Sequence, residues 1–473
     1  MLGSGTASSA LCPLLSATWH DLMTDQENVY DGTTSSDIHC LGKRVRKKGD
    51  RHPRRSLVIE ISTTVREPAP PRFLKETVPM GVERWMLLAI IWVTDFALFM
   101  VVFAVSRGLA ESGSQSLTLG LVGGGFSLAS GLSSLIGGRI SDRVGRKRVI
   151  LCGITGFVVG TWGCLALGAE NRFYIPMYIL IAAAIGLIYP PIVALLSRGR
   201  DAVTDRRDAT RIIVVYCITW NVGLISGQLT GGWLYHHDPV RPIQIALLLA
   251  LINPLLLWVA ARSHTSPPAS LDQNTTAHLE HRAASAAFSR LAWIANIGGA
   301  FAMSMVFHLF PLLMIELHIP AREHGGLLAL NSVIVVITYL FMHRVPFWHH
   351  RFSTAALSQI TAAASLLVLA SAHSRLGLIV GLVGLGQLVG YNYFASLYYS
   401  TTGVTETRRG AASGMHEFTL ALGFAAGAIG GGLLGQFAGI QAPYRLGAAF
   451  IVVLLVVQLA SLAAFKRRAA QET

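Results

Sequence analysis

Gly138-Arg139-Ile140-Ser141-Asp142-Arg143-Val144-Gly145-Arg146-Lys147-Arg148 closes an uncharged run that extends from Ser112 to Gly138, and it precedes a second apolar segment at 149–168. Five cations and one acid between two such stretches do not belong in the middle of a hydrocarbon layer, where charge is costly. They mark a turn at its surface. Gly145 permits a tight reversal, the cations hold the loop at lipid headgroups, and Asp142 can sit at the positive end of a neighbouring helix. The flanking runs have the right length, since a bilayer-crossing helix needs roughly 20 apolar residues. Phe173–Ser197 and Phe418–Tyr444 are likewise free of Asp, Glu, Lys and Arg.

The same alternation runs through the chain. Of 473 residues, 52% are hydrophobic and 13% charged, roughly half the charge of a soluble domain. Twelve apolar segments follow, at 85–107, 115–137, 149–168, 173–197, 211–235, 242–261, 290–315, 324–343, 353–372, 376–400, 411–437 and 445–465. They are too long for transmembrane strands and do not alternate, so the expected fold is an all-α polytopic membrane protein. Small residues at spacings of three or four, as in Gly120, Gly123, Gly124 and Gly125, predict close helix contacts.

The net charge of +13 is compatible with a nucleic-acid partner, but the basic residues punctuate apolar segments, and the lipid bilayer is the expected partner. If the first span starts in the cytoplasm, twenty-one Lys and Arg beyond residue 80 fall in the inner connections and six in the outer ones. Both termini are therefore expected in the cytoplasm of a protein of the plasma (inner) membrane. Residues 1–79 are polar, with eight basic residues between Lys43 and Arg55. They read as a disordered basic tail attracted to anionic lipid, or as the product of a start codon upstream of a true start at Met80. A six-span half at 80–262, a polar cytoplasmic linker at 263–289 and a second half at 290–473 complete the expected organisation. Cys152, Cys164 and Cys217 lie in apolar segments and Cys12 and Cys40 in the tail, which makes no disulfide framework.

The loop resembles the signature of the major facilitator superfamily: Gly, three residues, Asp-Arg, one residue, then Gly-Arg and a further cation. The resemblance covers about residues 82–468 and implies two pseudo-symmetric six-helix bundles around a central site that works by alternating access. It also implies a gating role for Gly138, Asp142, Arg143, Gly145 and Arg146, with the carboxylate latching the halves on the inner side when the cavity opens outward. Span 5 carries Gly223, Gly227, Gly231 and Gly232, and span 11 repeats the pattern as Gly423, Gly427, Gly431 and Gly432. The two runs resemble the antiporter motif of the superfamily's drug exporters and support an internal repeat. Gln228 and Ala428 stand where that motif has proline, and span 4 has no Arg between Tyr178 and Leu196. Both departures count against drug antiport, and a glycine-rich packing face explains the runs equally well.

Of sixteen acidic residues after Met80, only Asp95 in span 1 and Glu417 in span 11 lie well inside apolar segments. A carboxyl group withdrawn from water holds a proton more readily, so either is a proton-coupling candidate, and a cationic solute would compete with that proton. The alternative is an acid held by interhelical hydrogen bonds. Trp220, Asn296, Gln387, Tyr391 and Asn392 are the candidates for a substrate cavity, with Gln387 and Tyr391 on one helical face and Asn392 on its flank.

The sequence has no Walker-type loop, no Cys or His cluster at metal spacing and no nucleophile elbow, so no cofactor, metal or catalytic residue is expected. The expected function is secondary active transport of a small organic solute by a monomer coupled to protons or another ion, with efflux ahead of uptake of a nutrient or metabolite. A transporter-like sensor that moves nothing is the reading from another class.

Overall fold

A segment with no water beside it has to satisfy its backbone hydrogen bonds internally, which leaves the helix as the form for each isolated apolar stretch. The computed structural model describes residues 81–196, 206–263, 276–404 and 409–472. The tail predicted at 1–79 and positions 264–275 of the predicted linker lie outside the described residues.

Twelve helices among the described residues are long and apolar enough to cross a membrane. In order, spans 1 to 6 are Val82–Glu111, Ser116–Val144, Arg146–Leu167, Tyr174–Leu196, Arg211–His237 and Arg241–Arg262. Spans 7 to 12 are Ser285–His308, Ala321–Arg344, Phe352–Ala370, Arg375–Thr402, Ala411–Ala438 and Ala442–Phe465. The end of the bundle that carries Gly145 is called the motif end below, and the opposite end the distal end. Large apolar side chains such as Leu248, Leu255, Trp258, Leu357, Ile360, Leu376 and Phe437 are exposed, and in lipid this is the favourable face.

Two predicted spans are interrupted. Span 6 consists of Arg241–Ala250 and Asn253–Arg262, with Pro254 in the first turn of the second piece. Span 7 ends at His308, 7 residues short of its predicted boundary, and Pro311 opens a separate short helix, Phe310–Glu316. In each case proline removes a backbone donor and fits best where a helix begins. Span 4 carries Pro190 and Pro191 inside one continuous helix.

Each half packs around one pair of helices, span 1 against span 5 and span 7 against span 11, and the halves join where span 2 meets span 11 and span 5 meets span 8. Glycine makes both kinds of contact possible. In span 5, Gly223 and Gly227 lie against the Trp92 and Phe96 carbonyls of span 1; in span 11, Gly423 and Gly427 lie against the Ile297 and Phe301 carbonyls of span 7. Gly231 and Gly431 face their own half, and the last member of each run turns to the other half. A Cβ on Gly232 would stand 3.0 Å from the Gly325 Cα of span 8, and one on Gly432 would stand 2.9 Å from the Gly120 Cα of span 2. The two runs are thus equivalent packing surfaces, and the repeat is visible in three dimensions.

Gly232→Val or Gly325→Val places branched carbons in that crossing. Overpacking of this kind costs about 1–3 kcal/mol. Each variant is expected to lower the thermal unfolding midpoint of the detergent-purified protein; an unchanged midpoint would mean that the backbones are not in contact there.

Candidate functional site

The loop between spans 2 and 3 turns at Gly145, whose φ of 108° is a conformation that side chains disfavour. Its cations divide into two groups. Arg139, Arg143 and Arg148 are exposed, as a headgroup anchor requires, whereas Arg146 and Lys147 turn into the protein. Arg146 donates to the Ala194 carbonyl at the end of span 4 at 3.0 Å, and Lys147 to the Ala260 carbonyl at the end of span 6 at 3.2 Å. Both are helix C-termini, where the macrodipole favours positive charge. Lys147 also pairs with Glu83 at the start of span 1 at 2.6 Å. The expectation that all the cations serve the lipid surface is corrected for these two, because unsatisfied carbonyls lie within their reach. Asp142 pairs with Arg146 at 3.1 Å, one turn along, and Gly138 is buried with its carbonyl bonded by Ser141. Residues 405–408, ahead of span 11, lie outside the described residues.

The two membrane carboxyls come from opposite halves, each bonded by a tyrosine of its own half, and rings of both halves meet in one cluster beside them. Asp95, 3% exposed, lies near the middle of span 1, where its Cβ packs against Gly223. Tyr189 of span 4 donates a 2.6 Å hydrogen bond to its Oδ1, and Oδ2 is buried with no partner. In the other half Tyr393 of span 10 donates to Glu417 at 3.3 Å, while His416 bonds Ser396 through Nδ1 at 2.8 Å. The halves join through rings. Trp220 of span 5 packs on Tyr393 at 5.2 Å between centroids, and Asn221 donates to the Tyr339 hydroxyl of span 8 at 3.4 Å.

On the distal side the cluster is roofed by aromatic rings. Phe99, one turn beyond Asp95, packs on Phe307 of span 7 at 5.4 Å, and Phe307 stacks on Phe424 of span 11 at 5.7 Å. Above that layer Arg107, 6% exposed, pairs with Glu111 at 2.6 Å and reaches the Ile319 carbonyl of the other half at 3.4 Å. Tyr235 secures Glu111 at 2.9 Å.

The other cavity candidates are placed differently. Gln387 donates to Ser358 at 2.7 Å and accepts from Thr361 at 3.1 Å, both on span 9. Tyr391 bonds Thr354 of span 9 at 2.7 Å. Asn392 donates to the Ala295 carbonyl of span 7 at 2.7 Å, and Asn296 to Thr419 of span 11 at 3.5 Å. These four bridge helices within the second half, and only Trp220 of the original five stands in the cluster between the halves. Helical spacing grouped Gln387 with Tyr391 correctly but left open which neighbour their face meets. Tyr189 was not singled out from the sequence. Its signal is a tyrosine directly before Pro190-Pro191, one of three tyrosines with Tyr174 and Tyr178 in an otherwise apolar span.

The sequence model of the Major Facilitator Superfamily matches residues 87–428. This chain belongs to that superfamily. Among curated relatives it is similar to the multidrug resistance protein MdtH of Aeromonas salmonicida, 24% identical over 378 residues, which are 76% of this chain and 89% of that protein. It is also similar to a gallate transporter of Pseudomonas putida, 24% identical over 192 residues, or 39% of this chain and 41% of the relative. That second match therefore spans less than half of the gallate transporter. Two solved superfamily structures share the fold. The POT family transporter PepTSo has a TM-score of 0.64 at 12% identity, with 82% of this chain and 99% of that one covered. The human organic anion transporter MFSD10 (TETRAN) has a TM-score of 0.58 at 15% identity, with 80% and 100% covered. The superfamily consists of transporters, and this member is an integral membrane transporter and not an enzyme.

Two substitutions probe this geometry. Gly145→Ala forces a side chain into the strained turn at a cost of about 1–3 kcal/mol, to be read as a lower unfolding midpoint; an unaffected midpoint would show that the loop relaxes freely. Trp220→Ala combined with Tyr393→Ala in a double-mutant cycle is expected to give a coupling of about 0.5–1.5 kcal/mol in detergent stability. Additive losses would separate the two rings.

Proposed function

We propose that this transporter exports a small organic solute in exchange for protons, by alternating access about the cluster between its halves. The carrying observation is a buried Asp95 with Oδ2 unpartnered in one half and Glu417 in the other, where Tyr393, which bonds Glu417, packs on Trp220 across the interface. A group that binds a proton in one arrangement of the halves and releases it in another has to lie where the arrangement changes, and an interface is such a place. In this reading Asp95 is the coupling group, Glu417 its counterpart, and Trp220 with Tyr393 the wall against which solute rests. Asp142, Arg143 and Arg146 with Gly138 and Gly145 govern the motif end, in the cytoplasm along with both termini, and the protein acts as a monomer in the plasma (inner) membrane. Export is supported by the similarity to MdtH over most of that protein's length.

Uptake of a metabolite is the second reading. Gln228 in the proline position favours it: the side chain accepts from Ser332 of span 8 at 3.2 Å and ties span 5 across the interface, where proline would have given neither donor nor acceptor on a side chain.

The deciding experiment is counterflow of a compound panel in proteoliposomes with internal pH followed in parallel, wild type beside Asp95→Asn and Glu417→Gln. Asp95→Asn is expected to retain exchange of solute and to lose proton-linked concentration of it. The sign of the gradient response separates export from uptake. If Asp95→Asn concentrates solute as wild type does, Asp95 is structural and the coupling proposal fails.

A further inference from the structure

The cluster between the halves contains acid without a compensating cation. Asp95 is bonded by the Tyr189 hydroxyl at 2.6 Å and Glu417 by the Tyr393 hydroxyl at 3.3 Å. Among the described residues neither carboxyl forms an ion pair with Lys or Arg. His416 is the one nitrogen base beside them, with Nε2 at 4.0 Å from Glu417 and committed through Nδ1 to Ser396. A desolvated carboxyl group without a cationic partner is stable as a neutral acid or with a positive charge supplied from outside, and an added carboxylate meets only repulsion and loss of hydration.

The walls select further. Trp220 and Tyr393 stand at 5.2 Å across the interface and Tyr339 at 6.4 Å from Tyr393. Trp220, Tyr189 and Glu417 are only partly buried, whereas Asp95, Tyr339 and Tyr393 are buried. Asp95 Oδ2 and the Trp220 Nε1 are buried without a partner. Aromatic faces attract cations, most strongly where water is excluded, and indole is the best of the natural rings for it.

We infer that the cluster takes an aromatic organic monocation, bound between Asp95 and the Trp220–Tyr393 rings, and that it rejects organic carboxylates. This rests on the reading of the cluster as the solute site. It sets this chain apart from the gallate transporter it partly resembles, since a gallate-like anion finds no counter-charge among these residues.

The test uses the full-length protein in detergent and measures saturable binding of labelled tetraphenylphosphonium. Competitors are benzyltrimethylammonium, its uncharged carbon isostere and benzoate. The ammonium compound is expected to displace label at a concentration at least about tenfold below that of the isostere, a preference consistent with ion pairing added to cation–π attraction. Benzoate is expected to displace none. Asp95→Asn is expected to reduce cation affinity while leaving the affinity for the isostere unchanged, and Trp220→Leu to weaken the cation where Trp220→Phe largely restores it. Circular dichroism and gel filtration certify that each variant is folded. The inference is overturned if the label shows no saturable binding, if benzoate competes as well as the ammonium compound, or if the cation binds Asp95→Asn and Glu417→Gln as it binds wild type. Failure of coupling is separable. Saturable, acid-dependent cation binding without proton movement in proteoliposomes would end the exchange proposal and leave the substrate class standing, whereas proton-linked transport of a carboxylate would do the reverse.

Discussion

In lipid no hydrophobic drive presses one helix on another, and the two halves of this transporter hold together where missing side chains let backbones touch. Gly120 against Gly432 and Gly232 against Gly325 are such places, one on each side of the pseudo-twofold axis. The contacts set how deeply span 2 meets span 11 and span 5 meets span 8, and so fix the spacing at which side chains from opposite halves face each other. A junction of small residues also has little interdigitation to undo. That suits two bodies that have to move against each other without unpacking.

The repeat is close enough that its failures stand out. Gly223 and Gly423 occupy matching positions in spans 5 and 11, and a Cβ on either would meet the helix beneath it at 2.8 Å, at Asp95 in span 1 and at Ala300 in span 7. The acid in one half therefore has a methyl group as its counterpart in the other. Counting back equally from the two glycine runs sets Glu417 opposite Cys217 and His416 opposite Tyr216. The scaffold is symmetric and the chemistry is not. A burial cost that structure alone would not require has been accepted at one acid in each half, on different helices.

A division of labour follows along the membrane normal. At the motif end Arg146 and Lys147 bind the first half to itself, through the ends of spans 4 and 6 and through Glu83. At the distal end Arg107 crosses between halves, above the Phe99, Phe307 and Phe424 layer. The acid cluster lies between. The likeness to PepTSo and MFSD10 at 12% and 15% identity reflects the same scaffold and carries no information on what it moves.

Much of this was legible in the sequence because it is written locally. Apolar length identifies a span, a glycine after Asp-Arg identifies the turn, and glycines at equal spacing in spans 5 and 11 betray the repeat. Charge rarity alone picked out Asp95 and Glu417, since an acid in an apolar run is conspicuous whatever surrounds it. What only the tertiary structure decided was direction. Helices apolar on nearly all sides carry little record of which face meets which neighbour. Gln387 and Tyr391 thus share a face by spacing and turn to span 9, while Tyr393, two residues on, reaches Glu417. The bond from Tyr189 to Asp95 joins residues 94 positions apart. The rotation of each helix in its bundle places that hydroxyl, and this rotation comes from the packing of every glycine and ring between them.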